Sequence, residues 1–149
     1  MPVRLLRFLW AAPCTLVGLA LGVGVVGLGG SVRRCGQVLE FALHESLAQC
    51  GGRVRRLPYR AITFGHVVVA VTHQELRGLR AHELVHVRQY ERWGLLFFFA
   101  YVASSAWQLL RGRRPYWDNH FEIQARISLL RGGERAQNGG LESPQGDPH

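Results

Sequence analysis

The chain has no lysine. All 18 basic residues are arginine, against ten acids, and only two of those acids are aspartates, Asp118 and Asp147. With aspartate so scarce, carboxylate chemistry falls mainly to glutamate. There is no paired Cys/His finger, no RNP-like aromatic motif and no basic heptad helix, so a net charge of +8 does not point to nucleic acid. Only one Glu-x-x-His occurs, at Glu83 and His86, and a four-helix di-iron carboxylate site needs two. Three cysteines allow few roles. Cys14 lies in an apolar run, Cys35 and Cys50 are one possible disulfide pair or two free thiols, and nothing marks either as a nucleophile. At 149 residues the chain has room for one domain, and it shows no internal repeat.

The charge is uneven. Between Arg7 and Arg33 lie 25 uncharged residues, FLWAAPCTLVGLALGVGVVGLGGSV. An apolar helix needs about 20 residues to span the hydrocarbon core. This run is longer than the apolar part of a signal peptide, and no A-x-A site follows it. Residues 1–34 are therefore expected to be an uncleaved single-pass membrane anchor. Lipid is then the natural partner of the basic surface. Gly18 and Gly22 form a G-x-x-x-G pair of the kind that packs helices together. Orientation stays open, although the arginine load after the span, Arg33 and Arg34 followed by Arg53, Arg55, Arg56 and Arg60, leans toward a cytoplasmic body.

Beyond the anchor, residues 35–131 read as an α+β domain. Residues 36–43 and 61–71 are rich in Val, Ile and Phe and predict strands, with a bend or bulge at Gly65. Thr72 and Glu75 have capping-box spacing. They predict a helix from His73 to Trp93, interrupted near Gly78 and stopped by Gly94. Leu95–Leu110 is a second apolar run, too short for a comfortable span and expected to be a buried or membrane-dipping helix. A loop then leads to a helix starting at Asp118 or Asn119 and ending near Arg131. Residues 132–149 are polar and rich in Gly and Pro, and predict a disordered tail.

The predicted helix carries RAHELVHVRQYERWG (residues 80–94). His82 and His86 are four apart and project from one helix face, where two neutral imidazoles can hold one Zn²⁺. Glu83, beside them, can act as general base toward an attacking water. A third ligand is needed, and Glu122 on the later helix is the best candidate. Glu91 is five residues past His86 and faces elsewhere. His120 and Glu122 sit nearly opposite each other on a helix, so only one can point at the metal. Asp118, four residues before Glu122, is placed to hydrogen-bond a ligand histidine. The competing reading pairs Glu122 with Arg126 as a surface ion pair. Gln89, one turn beyond His86, either lines the site or is an ordinary polar residue. His66 is a lesser, substrate-side candidate. His44 and His73 are expected on the surface, and Tyr90, Trp93, Tyr101 and Tyr116 in packing or interfacial roles.

A strand, an H-E-x-x-H helix and a glutamate on a later helix resemble the gluzincin zinc metallopeptidases in minimal form. More closely, TFGHVVVAV, AHELVHVRQYERWG, RPYWDNHFEIQA and the glycine-rich N-terminal span look like a group of small bacterial membrane-associated proteins, over most of residues 8–126. The gluzincin resemblance rests on four positions. It implies His82, His86 and Glu122 as zinc ligands, Glu83 as base, and a peptide or protein substrate. Two features depart from it. Many gluzincins carry an aspartate four residues after the glutamate ligand, where this chain has Arg126, and the usual second lobe has no counterpart. The expected function is zinc-dependent hydrolysis of a peptide aligned along residues 65–70. The alternative is a non-catalytic membrane scaffold whose zinc only ties helices together.

Overall fold

The computed structural model describes residues 2–46 and 60–139. Cys50, Arg53, Arg55, Arg56 and residues 140–149 of the expected tail lie outside them. The described residues form an α+β fold of four helices and one four-stranded sheet. In chain order these are α1 (Pro2–Gly27), β1 (Ser31–Cys35), β2 (Val38–Leu43), β3 (Ala61–Phe64), β4 (Val67–Thr72), α2 (His73–Trp93), α3 (Leu95–Leu110) and α4 (His120–Gly139).

Three boundaries differ from expectation. The end of the expected anchor is a strand. Helix α1 stops at Gly27, Gly29 takes a φ of +84°, and the N–H of Gly30 returns to Val25 O at 2.9 Å. The chain then enters β1. Residues 61–71 are two strands instead of one bent strand, because Gly65 with φ +59° opens a two-residue hairpin loop between Phe64 and Val67. Gly36, at φ +61°, does the same between Cys35 and Val38. In both loops glycine takes the first position, as a type II′ turn requires. Finally, α4 continues through residues 132–139.

The sheet order is β1-β2-β4-β3: two antiparallel hairpins joined by the parallel pair β2/β4. Helices cover both faces, which is why β4 (VVVAVT) is apolar without alternation. On one face Val38, Ala42, Val68 and Ala70 pack against Leu76 and Val87 of α2. Glu40, also buried there, accepts both Nε and Nη2 of Arg80 at 2.6 and 2.8 Å. The other face receives α1. A Cβ at Gly18 would stand 2.7 Å from Val67 Cβ, and one at Gly22 would stand 2.6 Å from the Phe41 ring. The G-x-x-x-G pair therefore seats α1 on this chain's own sheet.

The β3–β4 turn docks on the same helix. Thr15 Oγ1 accepts the N–H of His66 at 3.2 Å while donating to Ala11 O at 3.0 Å. A Cβ on Gly65 would lie 2.2 Å from Thr15 Oγ1 and 2.8 Å from Thr15 N, whereas nothing lies within 4 Å of one on Gly36. A positive φ costs a residue with a Cβ about 1–2 kcal/mol, and overpacking adds about 1–3 kcal/mol. Gly65→Ala should therefore lower the thermal unfolding midpoint clearly more than Gly36→Ala does, both measured in detergent. Equal losses would mean that the turn does not rest on α1.

Candidate metal centre

Helix α2 presents the H-E-x-x-H residues. Thr72 Oγ1 caps it by accepting Glu75 N–H at 3.1 Å, and Gly94 N–H closes it on Tyr90 O at 2.7 Å. It runs through Gly78 without a break. Leu76, Leu84 and Val87 turn toward the sheet, which leaves His82 and His86 facing α4. Glu83 is buried against β3, where Thr63 Oγ1 donates to its Oε2 at 2.7 Å.

The third candidate ligand is positioned by Asn119. This fully buried residue caps α4, its Oδ1 accepting Phe121 N–H at 2.9 Å. Its Nδ2 donates to Tyr101 O at 3.0 Å and to Ser105 Oγ at 2.7 Å, both on α3. The start of α4 is thereby tied to α3, and Glu122 falls three residues later opposite the histidines.

His82 Nε2 lies 3.0 Å from Glu122 Oε2 and 3.1 Å from His86 Nε2, and His86 Nε2 lies 3.2 Å from Glu122 Oε1. Ligand atoms held 2.0–2.1 Å from a tetrahedral zinc are about 3.3 Å apart. The trio is thus already close to the spacing of three corners of such a site. It is the one group of three potential ligands among the described residues. The orientation of His86 is set from behind: its Nδ1 lies 2.8 Å from Gln89 Oε1, which leaves Nε2 available to a metal ion. Gln89 is held in turn by donating to Gln124 Oε1 at 2.9 Å and Phe121 O at 3.3 Å. Tyr101 Oη donates to Glu122 Oε1 at 2.8 Å.

The electrostatics separate the two carboxylates. Burial pushes the Glu83 carboxyl above its usual range, outweighing the Thr63 hydrogen bond and the pull of His86 and His82. Burial acts on Glu122 in the same direction, but hydrogen bonds from His82, His86 and Tyr101 overcome it and hold the group well below the carboxylate range. Burial would lower His86, yet contact with Glu122 and Gln89 keeps it above the ordinary imidazole value. One acid is an anion set among donors and the other is a raised, more basic carboxylate, which is the division a ligand and a general base require.

The remaining candidates are elsewhere. Glu91 pairs with His66, 3.3 Å away, and with Arg7. His66 is not on the substrate side: it is buried in the β3–β4 turn and stacked on Phe8 at 4.0 Å. His73 is buried, not on the surface, and its Nε2 lies 3.0 Å from Ser31 Oγ. His44 is exposed beside Ser46, and His120 is exposed, packed on Phe121 and not part of the trio. Asp118 does not support a histidine, because its Oδ2 accepts Arg114 N–H at 2.9 Å in the loop. Arg126 donates to Trp117 O rather than pairing with Glu122. Tyr101 and Tyr116, expected in packing roles, both stand at the site: each has its hydroxyl on Glu122 and each lines the cleft. Thr63 and Tyr101 carry no motif that would single them out, and Asn119 is marked only as a candidate helix start.

His82, Glu83, His86 and Glu122 line one cleft of about 260 Å³, together with Tyr116, the apolar Tyr90, Phe97, Phe98 and Val102, and all four residues of β3. Among the described residues β3 pairs only with β4, and its other edge along the cleft carries no strand. β4 is interior, and its main chain is already engaged on both sides. A peptide strand would therefore meet residues 61–64 and not 65–70. No family model matches the chain, and no curated protein or solved structure matches it either. The functional reading rests on the arrangement of its own residues.

Proposed function

We infer that the protein is a membrane-associated zinc metallopeptidase. The observation that carries this is the convergence of the His82, His86 and Glu122 ligand atoms with the Glu83 carboxylate in one cleft, beside the edge of β3 that pairs with no strand among the described residues. Two imidazoles and one carboxylate with space in front of them suit a catalytic zinc, which polarises a carbonyl and lowers the pKa of water toward about 7. The chain does the rest. An extended peptide hydrogen-bonds along β3, which brings a carbonyl over the trio. Glu83, raised by burial, takes a proton from the attacking water as its oxygen bonds to the carbonyl carbon. Glu83 then passes that proton to the amine as the C–N bond breaks. Thr63 holds Glu83 on the cleft side of α2. Helix α1, with 23 residues from Leu5 to Gly27 long and apolar enough to cross a membrane, keeps the site at the bilayer.

Wild type purified in detergent should cleave members of a broad peptide library, lose that activity to 1,10-phenanthroline, and recover it with zinc but not magnesium. Cleavage indifferent to the chelator would end the metallopeptidase reading. Bound zinc with no cleavage at all would assign the metal a structural role, that of a scaffold.

A further inference from the structure

We propose that the cleft opens onto the bilayer, and that its substrate is an apolar membrane-embedded peptide segment. The proposal rests on the metallopeptidase reading and specifies what that site accepts.

The first support is the position of α1. Ala11, Thr15, Gly18 and Gly22 lie against the β3–β4 turn and the sheet, so α1 is a flank of the body and not a stalk beneath it. Its other side exposes Leu5, Leu9, Leu16, Val17 and Val23, each more than half exposed. Lipid around that side would lie directly beside the domain. The second support is that α3 continues this surface. Its start is seated on α1: a Cβ on Gly94 would stand 2.5 Å from the Trp10 indole nitrogen, and Phe97 shares a core cluster with Ala11 and Cys14. From there α3 turns by 117° relative to α2 and exposes Leu96, Phe99, Trp107 and Leu110. At 1.5 Å per residue, the Leu5–Gly27 stretch of α1 and the whole of α3 are about 35 and 24 Å long. Faces about 10 Å wide on both give on the order of 600 Å² of apolar surface, at the upper limit for the largest patch on a soluble monomer.

The third support is the mouth of the cleft. Phe98 and Val102 on α3 and Ile62 on β3 all line the cleft while being 41–49% exposed. The polar residues lie behind this apolar rim. A hydrated soluble peptide gains little from such a rim, whereas an apolar segment arriving from lipid passes it without exposing itself to water. Such a segment must unwind to be cut, and its freed backbone groups cannot stay unpaired in hydrocarbon. The edge of β3 that pairs with no strand among the described residues is where they find partners. The end of α3 also suits a headgroup layer: Arg111 lies over the Trp107 ring at 4.6 Å, and exposed Arg113 and Arg114 follow it, as anionic phosphates would favour.

The test uses the full chain in phosphatidylethanolamine/phosphatidylglycerol vesicles. With the native cysteines replaced, nitroxide labels are placed at Val102→Cys, Ile62→Cys and, as a water reference on the charged edge strand, Arg34→Cys. Accessibility to oxygen should exceed that to a water-soluble nickel chelate at least tenfold at positions 62 and 102, relative to position 34. Quenching of tryptophan fluorescence by bromolipids in the unsubstituted chain should show the same contact, and it should weaken in a Trp107→Leu chain, the remainder coming from the other tryptophans, Trp10 on α1 among them. In parallel, one scissile stretch is offered in a membrane-spanning peptide and in a soluble one, with Glu83→Gln as blank. Cleavage of the embedded peptide should be at least tenfold faster. Nickel access at 62 and 102 equal to that at 34, with the soluble peptide cut as fast or faster, would overturn the proposal and leave the metallopeptidase standing. Lipid access at both positions with neither peptide cut would instead remove the hydrolase reading, and the substrate with it.

Discussion

Purified in detergent, the chain should carry one zinc ion per molecule, and either His82→Ala or His86→Ala should remove it. A site with three protein ligands loses a third of its donor set with each substitution. The remaining pair, one imidazole and the Glu122 carboxylate, is no longer the three-cornered arrangement seen at 3.0–3.2 Å. Gln89→Ala should fall between, weakening zinc by about 10- to 100-fold, because it frees the ring that Gln89 orients without removing a ligand. The pH dependence follows from the same contacts. Zinc needs neutral imidazoles, and Glu122 and Gln89 overcome the effect of burial to hold His86 above its ordinary value. Protons should therefore begin to displace zinc at a higher pH than a free imidazole would suggest, with affinity falling as pH falls. Zinc content measured by mass spectrometry across this series checks the ordering. Full retention in both histidine variants would remove the site.

The ends and the histidine face of helix α2 were legible because their determinants are local, although the break expected near Gly78 is absent. Thr72 is the cap, Glu75 is its partner, Gly94 is the stop, and His82 and His86 share a face by helical geometry alone. Glu122 could be reached by its chemistry and position on a second helix. Its delivery could not, because Asn119 acts through Tyr101 and Ser105, 18 and 14 residues earlier, which no spacing rule connects. Thr63, twenty residues before Glu83, is of the same kind. The strand β1 was hidden because Val32 continues an uncharged run whose helix had already ended at Gly27. The hairpin at Gly65 was hidden because burial of β4 on both faces erases the alternation that separates two strands from one. Gly18 and Gly22 announced a close approach correctly but not to what. Small residues on one side of an apolar helix look the same whether a second helix or a sheet lies against them.

Glu83→Gln should leave zinc content and fold nearly intact while hydrolysis falls by about 10² to 10⁴, the usual worth of general-base assistance. The amide keeps the shape of the side chain, and its oxygen can still accept from Thr63 Oγ1, so α2 and β3 stay together. What it loses is the proton affinity that burial raises in Glu83. Glu122→Gln should behave in the opposite order. It removes the one anion among the three ligands, so zinc itself should weaken and activity should fall with occupancy, recovering in part at high zinc. Measuring zinc content and cleavage of the same peptide for wild type and both variants separates the two roles. Zinc lost in Glu83→Gln but kept in Glu122→Gln would exchange the assignments of base and ligand. Wild-type turnover in Glu83→Gln at full zinc occupancy would place the proton transfer on another group. Tyr116 is then the first to examine, since its hydroxyl shares the cleft.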